Sequence, residues 1–145
     1  MNKILISVIF ALFLFSGVAQ AGTYRCQVSR VLDGDTVVCS PLHLGFGIGF
    51  NEEKVRLAGI NTPESIRASC PEEKAAGLKA KDRLSGLVLG REVLLVTGRK
   101  ERGKFGRVLG TLLLGGTEIN KLLVEEAHAV PYDGGKRVNH WCPDS

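Results

Sequence analysis

The stretch Tyr24-Arg25-Cys26-Gln27-Val28-Ser29-Arg30-Val31-Leu32-Asp33-Gly34-Asp35-Thr36-Val37-Val38-Cys39 decides the fold class. Two segments rich in Val and Cys flank Asp33-Gly34-Asp35. Glycine supplies backbone conformations that other residues avoid, and Asp hydrogen-bonds nearby amides, so this tripeptide signals a tight turn. The stretch therefore reads as a hairpin of two strands, Tyr24 to Leu32 and Thr36 to Cys39. Val- and Leu-rich runs at 54–59, 92–97 and 107–114 read as three more strands. Glu72 to Leu89 sets Ala76, Ala80, Leu84, Leu87 and Val88 close to the 3.6-residue period, which predicts a helix ending at Gly90. A second, shorter helix is expected over Glu118 to Ala127, with Thr117 as its N-cap. Gly98 to Gly106 reads as a basic loop. Leu44 to Phe50, with glycine at every second position, reads as a flexible loop or an extended hairpin tip. Five strands and two helices predict a mainly β, α+β fold, a small closed sheet with helices packed on it.

Length and charge set outer bounds. The chain has 145 residues, which suits one domain, and a formal net charge of +4, which permits a polyanionic partner without requiring one. Hydrophobic residues at 44% and charged residues at 23% exclude a disordered tail or a polybasic arm. The first 21 residues have a basic start, an apolar run from Ile4 to Phe15, and the site Ala19-Gln20-Ala21. That is the pattern of a secretory signal peptide. The apolar run is shorter than the roughly 18 to 20 residues a spanning helix needs. Removing 21 of the 145 residues leaves 124, and losing Lys3 takes the charge from +4 to +3. Residues 22–145 are then the functional domain, secreted or periplasmic, with no stable membrane association and expected to be monomeric.

Cys26, Cys39, Cys70 and Cys142 all follow that leader. An even count in an exported chain, with no Cys-x-x-Cys pair, favours two disulfides over metal ligation or a redox thiol. Four cysteines allow three pairings, and the sequence does not choose among them. The favoured one is Cys26–Cys39 with Cys70–Cys142. A turn centred on Asp33-Gly34 sets Cys26 opposite position 41, with Cys39 diagonal to it at roughly 7 to 8 Å, so the first bridge requires a bulge or stronger twist.

Three clusters carry candidate chemistry: Asp33-Gly34-Asp35-Thr36, Arg56-Leu57-Ala58-Gly59-Ile60-Asn61-Thr62-Pro63-Glu64, and Lys104-Phe105-Gly106-Arg107. Singly they read as a tight turn, a strand ending at a proline turn, and a charged hairpin tip. His43, His128 and His140 are scattered and form no metal-ligand spacing.

Together and in this order, the clusters resemble the staphylococcal-nuclease-like (thermonuclease) family. The pattern there is Asp-Gly-Asp-Thr, then Arg-Leu followed by (Asp)-x-Pro-Glu, then (Tyr)-Gly-Arg. The resemblance continues through Glu118-Ile119-Asn120. Pro131-Tyr132-Asp133-Gly134-Gly135-Lys136 with Trp141-Cys142 is similar to the short, exported, cysteine-containing members. It implies a five-stranded OB-fold barrel with two packed helices, whose open face receives nucleic acid.

The resemblance further implies an endonuclease acting on DNA and RNA, single strands preferred, with little base specificity and 3′-phosphate products. Its implied catalytic residues are Arg56, Glu64 and Arg107. The implied cofactor is Ca²⁺, held by the Asp35 carboxylate, residue Asn61 and the Thr62 carbonyl, with Asp33 supporting the turn or the site from behind. Lys104, Phe105 and Tyr132 would contact substrate.

Two positions depart from the family pattern. Asn61 stands where Asp is usual, which removes a formal negative charge beside the metal and predicts weaker or altered divalent-cation binding. Phe105 stands where Tyr is usual, so it can stack but has no phenol for a phosphate. Two other readings are an inactive OB module that binds nucleic acid and a disulfide-stapled module that binds an envelope protein or glycan. Intact Arg56, Glu64 and Arg107 favour the enzyme, because a binding module has no need of a carboxylate aimed at a phosphate.

Overall fold

The computed structural model describes residues 22–45, 48–103 and 105–143; the leader at 1–21 and Lys104 lie outside them. The elements in chain order are β1 (Thr23–Asp33), β2 (Thr36–Gly45), β3 (Ile48–Phe50), β4 (Glu53–Leu57), β5 (Ile60–Asn61), α1 (Pro71–Val88), β6 (Glu92–Arg102), β7 (Val108–Leu114), β8 (Thr117–Glu118), α2 (Ile119–Glu125) and β9 (Val130–Pro131). Strands β1, β6, β7, β4 and β2 follow one another around a sheet that closes through the β1–β2 pairing. The result is a five-stranded barrel with two helices, an OB-type architecture.

The opening hairpin turns where Asp33 meets Thr36, but its ladder is irregular. Cys26 faces Leu42 and Val28 faces Cys39, with register shifts around Val28 and again before Asp33. Those bulges bring the Cα atoms of Cys26 and Cys39 to 5.1 Å, and the two cysteines are disulfide-bonded. The alternating inward residues form the core: Val28 of β1, Val37 of β2, Val55 and Leu57 of β4, Leu95 of β6 and Leu112 of β7.

Helix α1 packs onto the barrel because Ala80, Leu84 and Val88 recur on one face and are fully buried. Burial of such a Leu or Val contributes about 1.5–3 kcal/mol. The same face carries Glu73 and Gly77, which serve the loop below. α2 docks through Ile119 and Leu123, and through Asn120. The buried Asn120 amide accepts from the Leu112 N–H (3.1 Å) and donates to the carbonyls of Ala58 (2.9 Å) and Gly110 (3.2 Å). An Arg83–Glu126 pair joins α1 to α2 at 2.6 and 2.7 Å.

Two local expectations change, and one open choice is decided. The residues from Gly98 to Arg102 continue β6 rather than opening a loop, because Arg102 pairs with Val108 across a register shift and its guanidinium holds Glu53 at 3.0 Å. Thr117 does not cap α2; it pairs with Leu114 in β8, and Glu118 stands at the N-cap with no side-chain cap bond. Of the two readings for Leu44 to Phe50, the hairpin applies to the described part. Gly49 faces His43, and a Cβ there would lie 2.6 Å from the Leu42 carbonyl oxygen.

Candidate active site

Strand register assembles the site. Thr36 pairs with Arg56, which sets Asp35 at the turn beside the Arg56 guanidinium. Both side chains are buried, and Arg56 Nη1 forms an ion pair with Asp35 Oδ2. Asp35 also accepts from Thr36 Oγ1 (3.0 Å) and from the Thr62 N–H (3.2 Å), which ties the residues after β5 to the β2 turn. β4 and β7 run parallel, Val55 against Val108, so Arg56 and Arg107 emerge near one another. Burial pulls the Arg56 guanidinium below its ordinary value, Asp35 opposes this, and the positive charges of Arg137 and Arg107 add to the lowering. Three guanidiniums therefore converge on one place.

Glu64 lies on the irregular segment between β5 and α1, and its surroundings hold that segment at several points. Behind it, Asp33 Oδ1 accepts from Ser65 Oγ at 2.8 Å and from the Gly34 N–H at 3.1 Å, so Asp33 supports both the turn and the Glu64 loop. Glu73 of α1 accepts from the N–H groups of Glu64 (3.3 Å) and Ser69 (2.6 Å), and from the Asn139 amide (3.2 Å). Burial works against the Glu73 charge, but these donors outweigh it and hold its carboxyl below the usual carboxylate range. The Glu64 carboxylate itself receives Arg137 Nη1 at 2.6 Å. Burial works against the Arg137 charge as well, but the hydrogen bond and charge of Glu64, together with the charge of Asp35, outweigh it and raise that guanidinium above its ordinary value.

Arg56, Glu64, Phe105, Arg107 and Tyr132 line one open cleft of about 610 Å³, together with Arg67 and Arg137. Its lining thus holds four guanidiniums against one carboxylate. Phe105 is exposed, and Arg107 Cζ lies 5.9 Å from its ring centroid. Tyr132 is half-buried; its N–H bonds the Gly59 carbonyl and its hydroxyl donates to the Gly135 carbonyl at 2.6 Å. Asp35, Asn61 and Thr62 are all buried, and Asn61 and Thr62 line an adjoining pocket of about 270 Å³ with Glu64, Glu73 and Arg137.

A family model described as staphylococcal nuclease homologue matches residues 54–140. The chain belongs to the staphylococcal nuclease family. It is 26% identical to a thermonuclease of Staphylococcus hyicus over 117 residues, covering 81% of this chain and 64% of that protein. It is 32% identical to a thermonuclease of Staphylococcus intermedius over 105 residues, 70% of this chain and 56% of that one. It is also 32% identical to a micrococcal nuclease of Shigella flexneri over 133 residues, 84% of this chain and 66% of that one. The chain thus spans less than two thirds of the length of the two staphylococcal proteins.

Family membership raises the question of a divalent cation, and the residues present fit a hard, oxygen-liganded one. Asn61 Oδ1 and Thr62 Oγ1 are buried with no hydrogen-bond partner, beside the Asp35 carboxylate. A buried acceptor without a donor costs about 1–3 kcal/mol, which a cation at Asn61 Oδ1 would offset. The charge count is low. Asp35 is shared with Arg56, and no cluster of three or more His, Cys, Asp or Glu side chains suited to a metal exists among the described residues.

Arg67, Glu73, Arg137 and Asn139 belong to the site and carry no local signature in the sequence. Glu73, next to Glu72 and Pro71, reads as an ordinary first-turn helix acid. Arg137 lies 73 residues from Glu64 in sequence, and only the second disulfide, Cys70–Cys142, hints that the tail returns to α1.

Proposed function

We propose that this chain is an exported, divalent-metal-dependent endonuclease that hydrolyses phosphodiester bonds of DNA and RNA with low sequence specificity. The observation that carries the reading is the convergence of Arg56, Arg107 and Glu64 on one open, positively lined cleft, with Asp35 paired to Arg56 and with Asn61 and Thr62 lining an adjoining pocket that shares Glu64. The family match and the names of the relatives support the same reaction. Two disulfides among the described residues and the leader pattern at 1–21 support export to a secreted or periplasmic location.

Arg56 and Arg107 grip the non-bridging oxygens of the scissile phosphate. A planar guanidinium donates two parallel hydrogen bonds, a geometry an ammonium lacks. Glu64 orients a water against phosphorus and takes its proton as the P–O bond forms. The opposite P–O5′ bond breaks, and the 5′ oxygen takes a proton from solvent, leaving a 3′-phosphate and a 5′-hydroxyl. Asp35, Asn61 and Thr62 would hold Ca²⁺ or a similar cation, whose chemistry there would be to polarise a phosphoryl oxygen and offset developing negative charge. Phe105 and Tyr132 present aromatic surface at the cleft mouth, which favours single strands whose bases are free to stack. Lys104, which precedes Phe105 in sequence and lies outside the described residues, is a further proposed substrate contact. The active unit is a monomer with no stable membrane association.

Incubating plasmid and single-stranded DNA with the protein in Ca²⁺, Mg²⁺ or EDTA, beside a Glu64→Ser variant, tests this. Metal-dependent degradation that disappears in the variant is the expected result. Binding without cutting would establish a nucleic-acid-binding module instead, and neither binding nor cutting would leave a module for an envelope protein or glycan.

A further inference from the structure

Glu64 sits on an irregular segment, yet it is held at both its backbone and its carboxylate. Glu73 of α1 takes its N–H at 3.3 Å, and Arg137 of the C-terminal tail takes its Oε1 at 2.6 Å. The two holds are joined. Asn139, two residues beyond Arg137, donates to the same Glu73 carboxylate at 3.2 Å, and Cys142 is disulfide-bonded to Cys70, whose Sγ accepts from the Glu73 N–H at the start of α1. Tail, loop and helix N-terminus thus form one knot around the candidate base. The Arg137 and Glu64 side chains are 45% and 32% exposed, and an ion pair this wet contributes little to stability. A short charge-assisted hydrogen bond does restrict where the carboxylate points. The geometry points to Arg137 as a positioning residue for Glu64, kept in place by the Cys70–Cys142 strap. This rests on the nuclease reading above and adds a residue to it.

The test compares the full chain with Arg137→Ala, Arg137→Lys and the double variant Cys70→Ser/Cys142→Ser. Cleavage of a single-stranded oligonucleotide and amide hydrogen exchange over residues 64–69 are both measured. A positioning role lowers kcat about 10- to 100-fold in Arg137→Ala, leaves KM within about twofold, and is partly restored by Arg137→Lys. Exchange at 64–69 becomes faster in Arg137→Ala, and faster still without the disulfide. If the double variant does not fold, the Arg137 pair decides. A kcat within about threefold of the parent, or a rise in KM matching the loss, overturns the proposal, the latter by making Arg137 a substrate ligand. Should the parent chain cut nothing, the nuclease reading fails and the exchange measurement decides. Unchanged exchange in Arg137→Ala then overturns the proposal as well, whereas faster exchange sustains the hold of Arg137 on the Glu64 loop while its catalytic purpose falls with the nuclease reading.

Discussion

Replacing Gly77 with alanine perturbs the candidate base through the backbone alone. A Cβ at Gly77 would lie 2.5 Å from the Glu64 carbonyl oxygen, 2.6 Å from its carbonyl carbon and 2.7 Å from the Ser65 nitrogen. All three are main-chain atoms, so no side-chain rotation relieves the overlap. Ordinary contact starts at 3.4 Å, so α1 and the Glu64 loop must part by about 0.9 Å. Helix propensity favours Ala over Gly by about 1 kcal/mol, and overpacking costs about 1–3 kcal/mol, so the net loss of stability is at most about 2 kcal/mol. Catalysis is far more sensitive, because a 1 Å misplacement of a reacting group costs on the order of 100-fold. Gly86→Ala is the control. It lies on the same helix, exposed, and its Cβ would meet nothing within 4 Å. It should stabilise the fold by about 1 kcal/mol and leave cleavage unchanged. Initial rates on labelled single-stranded DNA with Ca²⁺, beside calorimetric unfolding, read both effects. If Gly77→Ala cuts as fast as Gly86→Ala, α1 does not set the position of a catalytic Glu64.

Three further changes probe the metal, the core and the buried carboxylate. Asn61→Asp restores a formal charge and should tighten Ca²⁺ binding on the order of tenfold by calorimetry; an unchanged affinity would mean that residue 61 is not a ligand. Asn120→Ala removes three hydrogen bonds of a buried amide and should cost on the order of 3 kcal/mol in denaturant titrations, with a loss under about 1 kcal/mol contradicting the role assigned to the amide. Glu73 has its folded carboxyl held below the ordinary value of 4.5. Its stabilising contribution is therefore complete above that value and disappears as pH falls through the lower folded one. Thermal melts of Glu73→Gln should lose less stability than the parent on acidification below about 4.5, and parallel curves would refute this.

What the sequence reveals and what it conceals divide along contact range. The Asp33-Gly34-Asp35 turn and the Ala80, Leu84, Val88 stripe of α1 are legible because local backbone chemistry and the helical period write them. The extension of β6 through Gly98 to Arg102 is not, since a glycine beside a charged run favours a loop locally. Pairing with Val108 and the ion pair to Glu53 decide it from elsewhere in the chain. The same holds for Thr117, whose hydroxyl suits a cap but whose backbone is claimed by Leu114. Within the site, Arg56, Glu64 and Arg107 are visible through the motifs they sit in. Their meeting depends on the parallel β4–β7 pairing, which no local pattern announces. Arg137 and Glu73 are ordinary residues by local context, and only the folded tail reveals their part.

In the proposed mechanism Glu64 activates water in a cleft whose arginines hold the phosphate. Single-turnover cleavage of an end-labelled single-stranded oligonucleotide, with Ca²⁺ present, tests it most directly when the parent is compared with Glu64→Gln at matched binding. Glu64→Gln should bind the oligonucleotide as well as the parent and cut at least about 100-fold more slowly. Equal single-turnover rates in the two proteins would contradict it.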